Sequence, residues 1–162
     1  MAQTTETIQI RKFESAYAKA FRALNEAWIS SYFEMEPDDY KVLDHPEEYI
    51  LKKGGEIFVA VSGTTVVGVC AVLPADRPGM DYELAKMAVD PECQGKGVGF
   101  MLGTAVIGWV KAKGAQLIFL DSNTRLKPAI LLYRKLGFKE VSGIRSPYRR
   151  TDIQMVLDLS VE

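Results

Sequence analysis

Residues 89–103 read Val-Asp-Pro-Glu-Cys-Gln-Gly-Lys-Gly-Val-Gly-Phe-Met-Leu-Gly, with Gly95, Gly97 and Gly99 alternating with Lys96 and Val98. The stretch joins a β-rich segment to an apolar run too long for a strand. Glycine loses more backbone entropy on folding than any other residue, so three in this register imply a need for bare backbone. A glycine-rich turn that opens a helix is an anion site. Its first N–H groups have no partner inside the helix, and the aligned peptide dipoles make that end partially positive. Without Cβ atoms, a phosphate oxygen can come into contact with those groups. The plainer alternative is a tight strand-to-helix turn whose glycines serve packing.

Two phosphate motifs fail here. A Walker A loop needs Ser or Thr directly after its lysine, and Lys96 is followed by Gly97. A dinucleotide fingerprint begun at Gly95 and Gly97 would put its third glycine at Phe100, although Asp121 could play its acid. A nucleoside triphosphatase and a nucleotide-dependent oxidoreductase are both disfavoured.

Outward from the loop, the apolar run predicts a helix from about Val98 to Lys113, ended by Gly114. Upstream, Ile8 to Phe13 alternates as a strand, and Glu14 to Ser31 has helical spacing with Tyr17, Phe21, Leu24 and Trp28 on one face. A second helical stretch follows Pro37 and breaks at His45-Pro46. Ile57–Val61 and Thr65–Leu73 read as a hairpin around Ser62-Gly63-Thr64, and Tyr82–Val89 as a further strand. Downstream come a strand at Leu117–Asp121, a helix entered at Pro128 and stopped at Gly137, and strands at Phe138–Val141 and through Ile153, Met155, Leu157 and Leu159. The order is mixed α/β: strands first, then two β-to-α units, then a closing hairpin. It is not a strictly alternating doubly wound fold.

Bulk properties exclude several classes. The 162 residues, 48% hydrophobic and 25% charged with a formal net charge of −1, suit one soluble domain over residues 1–162. That balance lacks the basic footprint of a nucleic-acid binder and the polybasic patch of a membrane-surface protein. The N-terminal MAQTTETIQI shows no charged-then-apolar leader, and no run is long enough to span a bilayer. Cys70 and Cys93 are read as reduced and unpaired, which makes the cytoplasm the expected compartment. Metal-ligand spacing is absent, so no metal is expected. His45, before Pro46, is read as a turn or cap residue, and Cys93 has no histidine near in sequence to make it a nucleophile.

A third phosphate pattern does fit. Gln94-Gly95-Lys96-Gly97-Val98-Gly99 reads Q-x-x-G-x-G and resembles the acetyl-CoA signature of the GNAT superfamily of N-acetyltransferases. MAVDPECQGKGVG resembles that family's fourth strand running into its signature, and LDSNTRLKPAILLYRKLGFKEV resembles its later strand-helix motif. The resemblance covers about Ile57 to Val141 well and the N-terminal helices loosely. It implies a GNAT-like fold: a central, mostly antiparallel, twisted sheet, splayed near its middle, with flanking helices. It also implies an acetyl-CoA-dependent N-acetyltransferase acting by direct attack in a ternary complex, with a non-catalytic CoA-binding module as the alternative.

Residue by residue, the resemblance implies that the loop amides of Gln94, Gly95, Lys96, Gly97, Val98 and Gly99 hold the coenzyme A pyrophosphate without a metal. It implies backbone hydrogen bonds from Met87, Ala88 and Val89 to the pantetheine arm, which then adds to the sheet edge as a strand would. Asn123 matches a cofactor-contacting Asn, or else serves as a turn residue. Tyr133 matches the general acid for the leaving thiolate, or else belongs to a buried face with Ile130, Leu131 and Leu136. Glu83 is the candidate base that deprotonates the amine, or else an exposed strand carboxylate. Strict alternation from Glu83 would put Ala85 and Met87 on its face and turn it toward a cleft. Lys96, Arg134 and Lys135 either meet the coenzyme's phosphates or are solvated charges.

The acceptor is expected to be a small-molecule or peptide amine, and a homodimer is left open. Its pocket would be built from Trp28, Tyr32, Phe33 and Tyr40 on one side and from SGIRSPYRRTD on the other. The charges there conflict: Arg145, Arg149 and Arg150 would attract an anion, whereas Glu34, Glu36, Asp38 and Asp39 would attract a cation.

Overall fold

The computed structural model describes residues 7–142 and 146–161; residues 1–6, which begin the N-terminal stretch, and Arg145 lie outside it. Strand β1 (Ile8–Lys12) is followed by a 3-10 turn at Ser15–Tyr17 and helix α1 (Ala18–Tyr32). The long helix expected from Glu14 therefore starts four residues later. Helix α2 (Pro37–Asp44) opens on a capping box in which the Glu36 side chain takes the Asp39 N–H and the Asp39 side chain takes the Glu36 N–H. It closes at His45, and Glu47–Leu51 forms a single wide π-type turn.

Strands β2 (Glu56–Ser62), β3 (Thr65–Pro74) and β4 (Tyr82–Val89) form an antiparallel meander beside β1. After the glycine loop come α3 (Val98–Ala112), β5 (Leu117–Ser122), α4 (Lys127–Leu136), β6 (Lys139–Val141) and β7 (Ile153–Asp158). All seven strands join one open sheet in the order β1-β2-β3-β4-β5-β7-β6, with the closing hairpin paired through β7.

One pair decides where a site can form. Among the described residues, β4 and β5 are the only parallel neighbours, and they share just Tyr82↔Ile118 and Glu83↔Phe119. Asp81 pins that closed end, because its carboxylate accepts from the N–H groups of Gln116 and Leu117 at 3.0 and 2.9 Å. Beyond Glu83 the outer edge of β4 has no strand partner among the described residues.

The sheet is covered on both faces. On one, α3 packs Val98, Leu102, Val106 and Val110 against Phe58, Cys70, Val72, Leu84 and Ile118. On the other, α1 and α2 bring Phe21, Ile29 and Leu43 against Ile57, Val59, Val69, Ala71 and Ala88. Each fully buried side chain of this size contributes about 1.5–3 kcal/mol to folding, which makes the two layers a rigid frame for the cleft. No helix among the described residues is long and apolar enough to cross a membrane.

Strict alternation fails within β4. Ala85 pairs with Ala71 and Ala88 with Val69, leaving Lys86 and Met87 opposite Cys70 as a bulge. Lys86 takes φ +53°, the one described non-glycine residue in the left-handed region. The extra residue moves Met87 onto the α3 face beside Leu84, away from the face of Glu83. Ala85 stays with Glu83, as alternation predicts, and Met87 does not.

Candidate active site

The cleft lies where β4 and β5 part. It is a cavity of about 100 Å³ lined by Glu83 to Met87 from β4, by Asp121 to Asn123 from the end of β5, and by Tyr133 from α4. Asn25, Trp28 and Phe33 close it from the α1 side, and Tyr148 and Arg150 from the segment before β7. Glu83, Met87, Asn123 and Tyr133, separated by up to 50 positions, thus meet in one place. Ala88 and Val89 continue the unpaired β4 edge toward the glycine loop.

At the loop, Gly95 and Gly97 both have φ +81°, and nothing lies within 4 Å of where a Cβ would stand on either. Among the described residues, the N–H groups of Gly95, Lys96, Gly97, Val98 and Gly99 donate to no protein acceptor. They are gathered at the N-terminus of a 15-residue helix, where an anion is favoured. Gly99 answers to a second need. A Cβ there would stand 2.8 Å from Leu132 Cδ2, and one at Gly103 would stand 2.4 Å from Leu136 Cδ1, so these two glycines let α4 lie against α3. Close packing thus accounts for Gly99 and Gly103 but not for Gly95 and Gly97. Val98 turns its side chain into the core while its N–H stays in the loop. Gln94 and Lys96 are exposed, and Lys135 lies over the Phe100 ring at 4.7 Å.

Tyr133 packs edge-on to Phe138, and its hydroxyl has no hydrogen-bond partner among the described residues. Burial raises its pKa, and so does the nearby Cys70, so the phenol holds its proton at neutral pH. Glu83 is the opposite case. Burial raises its carboxyl to about 7, Asp121 and Asp76 add to the effect, and Arg77 and Lys86 oppose it. One group can give a proton near neutrality and the other can take one. Asn123 is engaged by the protein itself: Nδ2 donates to the Arg150 carbonyl at 2.6 Å and Oδ1 accepts from the Arg125 N–H at 2.9 Å. It ties the turn between β5 and α4 to the segment before β7.

The conflicting charges pair with each other. Arg150 donates to both Asp39 oxygens at 2.7 Å and to Glu36 at 3.2 Å, while the Arg149 N–H donates to Glu36 at 2.9 Å. Lys86 donates to Asp39 at 2.6 Å and to the Tyr148 hydroxyl at 3.0 Å. Burial alone would raise the Asp39 pKa, but Arg150, Lys86 and the Glu36 N–H lower it to about 2. Burial lowers the Lys86 pKa, against the pull of Asp39. The 2.6 Å contact to an ionised carboxylate decides the matter, and the pair is charged. Lys86 and Tyr148 were not singled out from the sequence, and the only signal for Lys86 is the bulge, which no local pattern announces.

A family model described as "Acetyltransferase (GNAT) family" matches residues 20–138. The chain belongs to the GNAT acetyltransferase family. Among its relatives, an N-alpha-acetyltransferase RimI of Mycobacterium tuberculosis is 36% identical over 92 residues, which are 56% of this chain and 56% of that protein. This GNAT chain thus aligns with only about half the length of that curated relative. Solved structures carry the fold further. A GNAT-family acetyltransferase of Staphylococcus aureus Mu50 superposes with a TM-score of 0.84 at 20% identity, over 94% of this chain and 99% of that one. An acetyltransferase of Salmonella typhimurium, solved with its cofactor acetyl-CoA, superposes with a TM-score of 0.73 at 21% identity, over 94% of both chains. The mostly antiparallel open sheet with flanking helices is the expected GNAT architecture.

Proposed function

We propose that this GNAT chain transfers the acetyl group of acetyl-CoA to a primary amine of a small molecule or peptide, by direct attack within a ternary complex. The observation that carries the reading is the run of free N–H groups from Gly95 to Gly99 at the N-terminus of α3, in line with an unpaired β4 edge and the Tyr133 hydroxyl. Such a run suits a diphosphate, the edge suits the amides of a pantetheine arm, and the cleft suits a thioester end.

Acetyl-CoA supplies the thioester whose acyl carbon forms the C–N bond as its C–S bond breaks. Glu83 takes a proton from the acceptor's ammonium and frees its lone pair. Tyr133 gives its proton to the departing sulfur and recovers one from solvent, matching the second proton the nitrogen loses. The narrow cavity admits the amine end of the acceptor. The rest of the acceptor has room in an adjoining groove of about 750 Å³, where Arg125 and Arg149 face Glu34 and Asp38.

Thermal unfolding with candidate ligands tests this. Acetyl-CoA at a hundred times its dissociation constant should add about 2.7 kcal/mol without magnesium, and ATP-magnesium and NAD should add nothing. A shift with ATP-magnesium but none with acetyl-CoA would overturn the assignment. An acetylation screen across polyamines, amino acids, aminoglycosides and peptides then identifies the acceptor.

A further inference from the structure

Two carboxylates face the cleft from the strands that form its closed end. Glu83 pairs with Phe119 across the short parallel ladder, and Asp121, two residues further along β5, lies on the same face as Phe119. Both line the cavity. Their surroundings differ in kind. Asp121 Oδ1 accepts from Gln154 Nε2 at 2.8 Å, and Oδ2 accepts from Ser146 Oγ at 2.8 Å and from Arg77 Nη2 at 3.4 Å. No donor among the described residues reaches the Glu83 carboxylate. Arg77 lies 4.7 Å above the ring of Phe119, the cross-strand partner of Glu83, and its buried Nη1 has no partner.

We propose that Glu83 and Asp121 act as an unequal carboxylate pair, Asp121 holding a fixed negative charge and Glu83 exchanging the proton drawn from the acceptor's ammonium. Asp121 is then a positioning residue: it touches no reacting atom and acts through Glu83. The proposal rests on Glu83 being the base. Three donors engage the Asp121 carboxylate and none reaches Glu83, so Glu83 is the one of the two left open to exchange a proton with a ligand. In the step itself only an N–H bond breaks and an O–H bond forms; Glu83 later releases that proton to solvent. The groups facing Glu83 are Asp121 from β5, Asp76 and Arg77 from the β3–β4 turn, and Lys86 from β4. Behind Lys86, Asp39 of α2 supplies its counter-charge, the Tyr148 hydroxyl accepts from it, and Arg150 before β7 shares Asp39 with it. Asp121 is therefore the first charge that pushes on Glu83, and Arg77, its own ion-pair partner, is the counterweight.

Removing each charge should move Glu83 in opposite directions. The test is a carbon-13 NMR titration of the glutamate carboxyls in the intact chain, with Glu83 assigned by its loss in Glu83→Gln. Asp121→Asn should lower the Glu83 midpoint, and Arg77→Gln should raise it, each by roughly half a unit or more. A merely structural role would move neither in this signed way. An unchanged or raised midpoint in folded Asp121→Asn overturns the pair. If that variant fails to fold, an unchanged or lowered midpoint in Arg77→Gln does so. The base reading fails separately, when Glu83→Gln keeps the acidic limb of the acetyl-transfer pH profile.

Discussion

Arg150 holds Asp39 in a two-pronged grip, Nη1 2.7 Å from Oδ2 and Nη2 2.7 Å from Oδ1. The contact joins α2 to the segment before β7 across 111 positions, and Lys86 joins the same carboxylate from the β4 bulge. Three chain segments that border the cleft and its adjoining groove thus meet on one buried anion. The left-handed backbone of Lys86 persists because this junction and the β3 ladder hold it in place.

Removing the anion should be worse than removing either cation. Asp39→Ala leaves Lys86 buried without a counter-charge and Arg150 with Glu36 alone, and a loss of about 3–5 kcal/mol is expected. Lys86→Met keeps the Asp39–Arg150 grip and most of the packed volume, so its loss should be clearly smaller. Urea unfolding midpoints at neutral pH check the order, and a cost below about 1 kcal/mol for Asp39→Ala would show that the junction is not structural.

Acid should undo the same junction. The folded-state pKa of Asp39 lies near 2, below its ordinary 3.8. Its contribution is therefore present above about pH 4 and disappears as pH falls toward 2. The amount is on the order of 2 kcal/mol, from the relation between pKa shift and stability. In Asp39→Asn the fall in stability between pH 4 and pH 2 should be shallower by that amount. Parallel slopes for the two proteins would place the acid sensitivity elsewhere.

The sheet strands and the two β-to-α units were legible because each carries its own local signal: the alternation of Ile153 to Leu157, the stop at Gly137, the glycine loop before Val98. Glu83, Asn123 and Tyr133 could be picked out by motif, and the cleft does bring them together. The junction around Asp39 was not legible. Its members lie in three separate stretches, and as sequence they present two opposed charge clusters with no indication that they neutralise each other. The bulge at Lys86 was equally hidden, since a single inserted residue reverses the face of Met87 without altering composition.

Gly97 and Gly99 should fail differently when given a methyl group. Gly97→Ala places a Cβ on a left-handed residue with open space around it, at a cost of about 1 kcal/mol, and should weaken acetyl-CoA binding by tilting the loop amides. Gly99→Ala drives a Cβ against Leu132, the neighbour of Tyr133. It should lower kcat more than cofactor affinity, because displacing α4 moves the phenol. Isothermal titration with CoA, beside turnover measurements, separates the two, and equal losses in both variants would remove the division of labour between these glycines.

Tyr133→Phe tests the proton donor proposed for the leaving sulfur. The ring packs against Phe138 and the α3-side core, and Phe keeps that packing, while the hydroxyl makes no hydrogen bond to the described residues. Stability should therefore be nearly unchanged, and CoA affinity should change little because the loop amides are untouched. Turnover should fall by roughly 100-fold or more, since general acid catalysis of this kind supplies about that factor. The loss should shrink when acetyl-CoA is replaced by an acetyl thioester whose thiol has a lower pKa, because a thiolate that leaves unaided needs less help from a phenol. Steady-state kinetics with the two thioesters decides it, and an equal loss with both would mean that Tyr133 shapes the cleft without protonating sulfur.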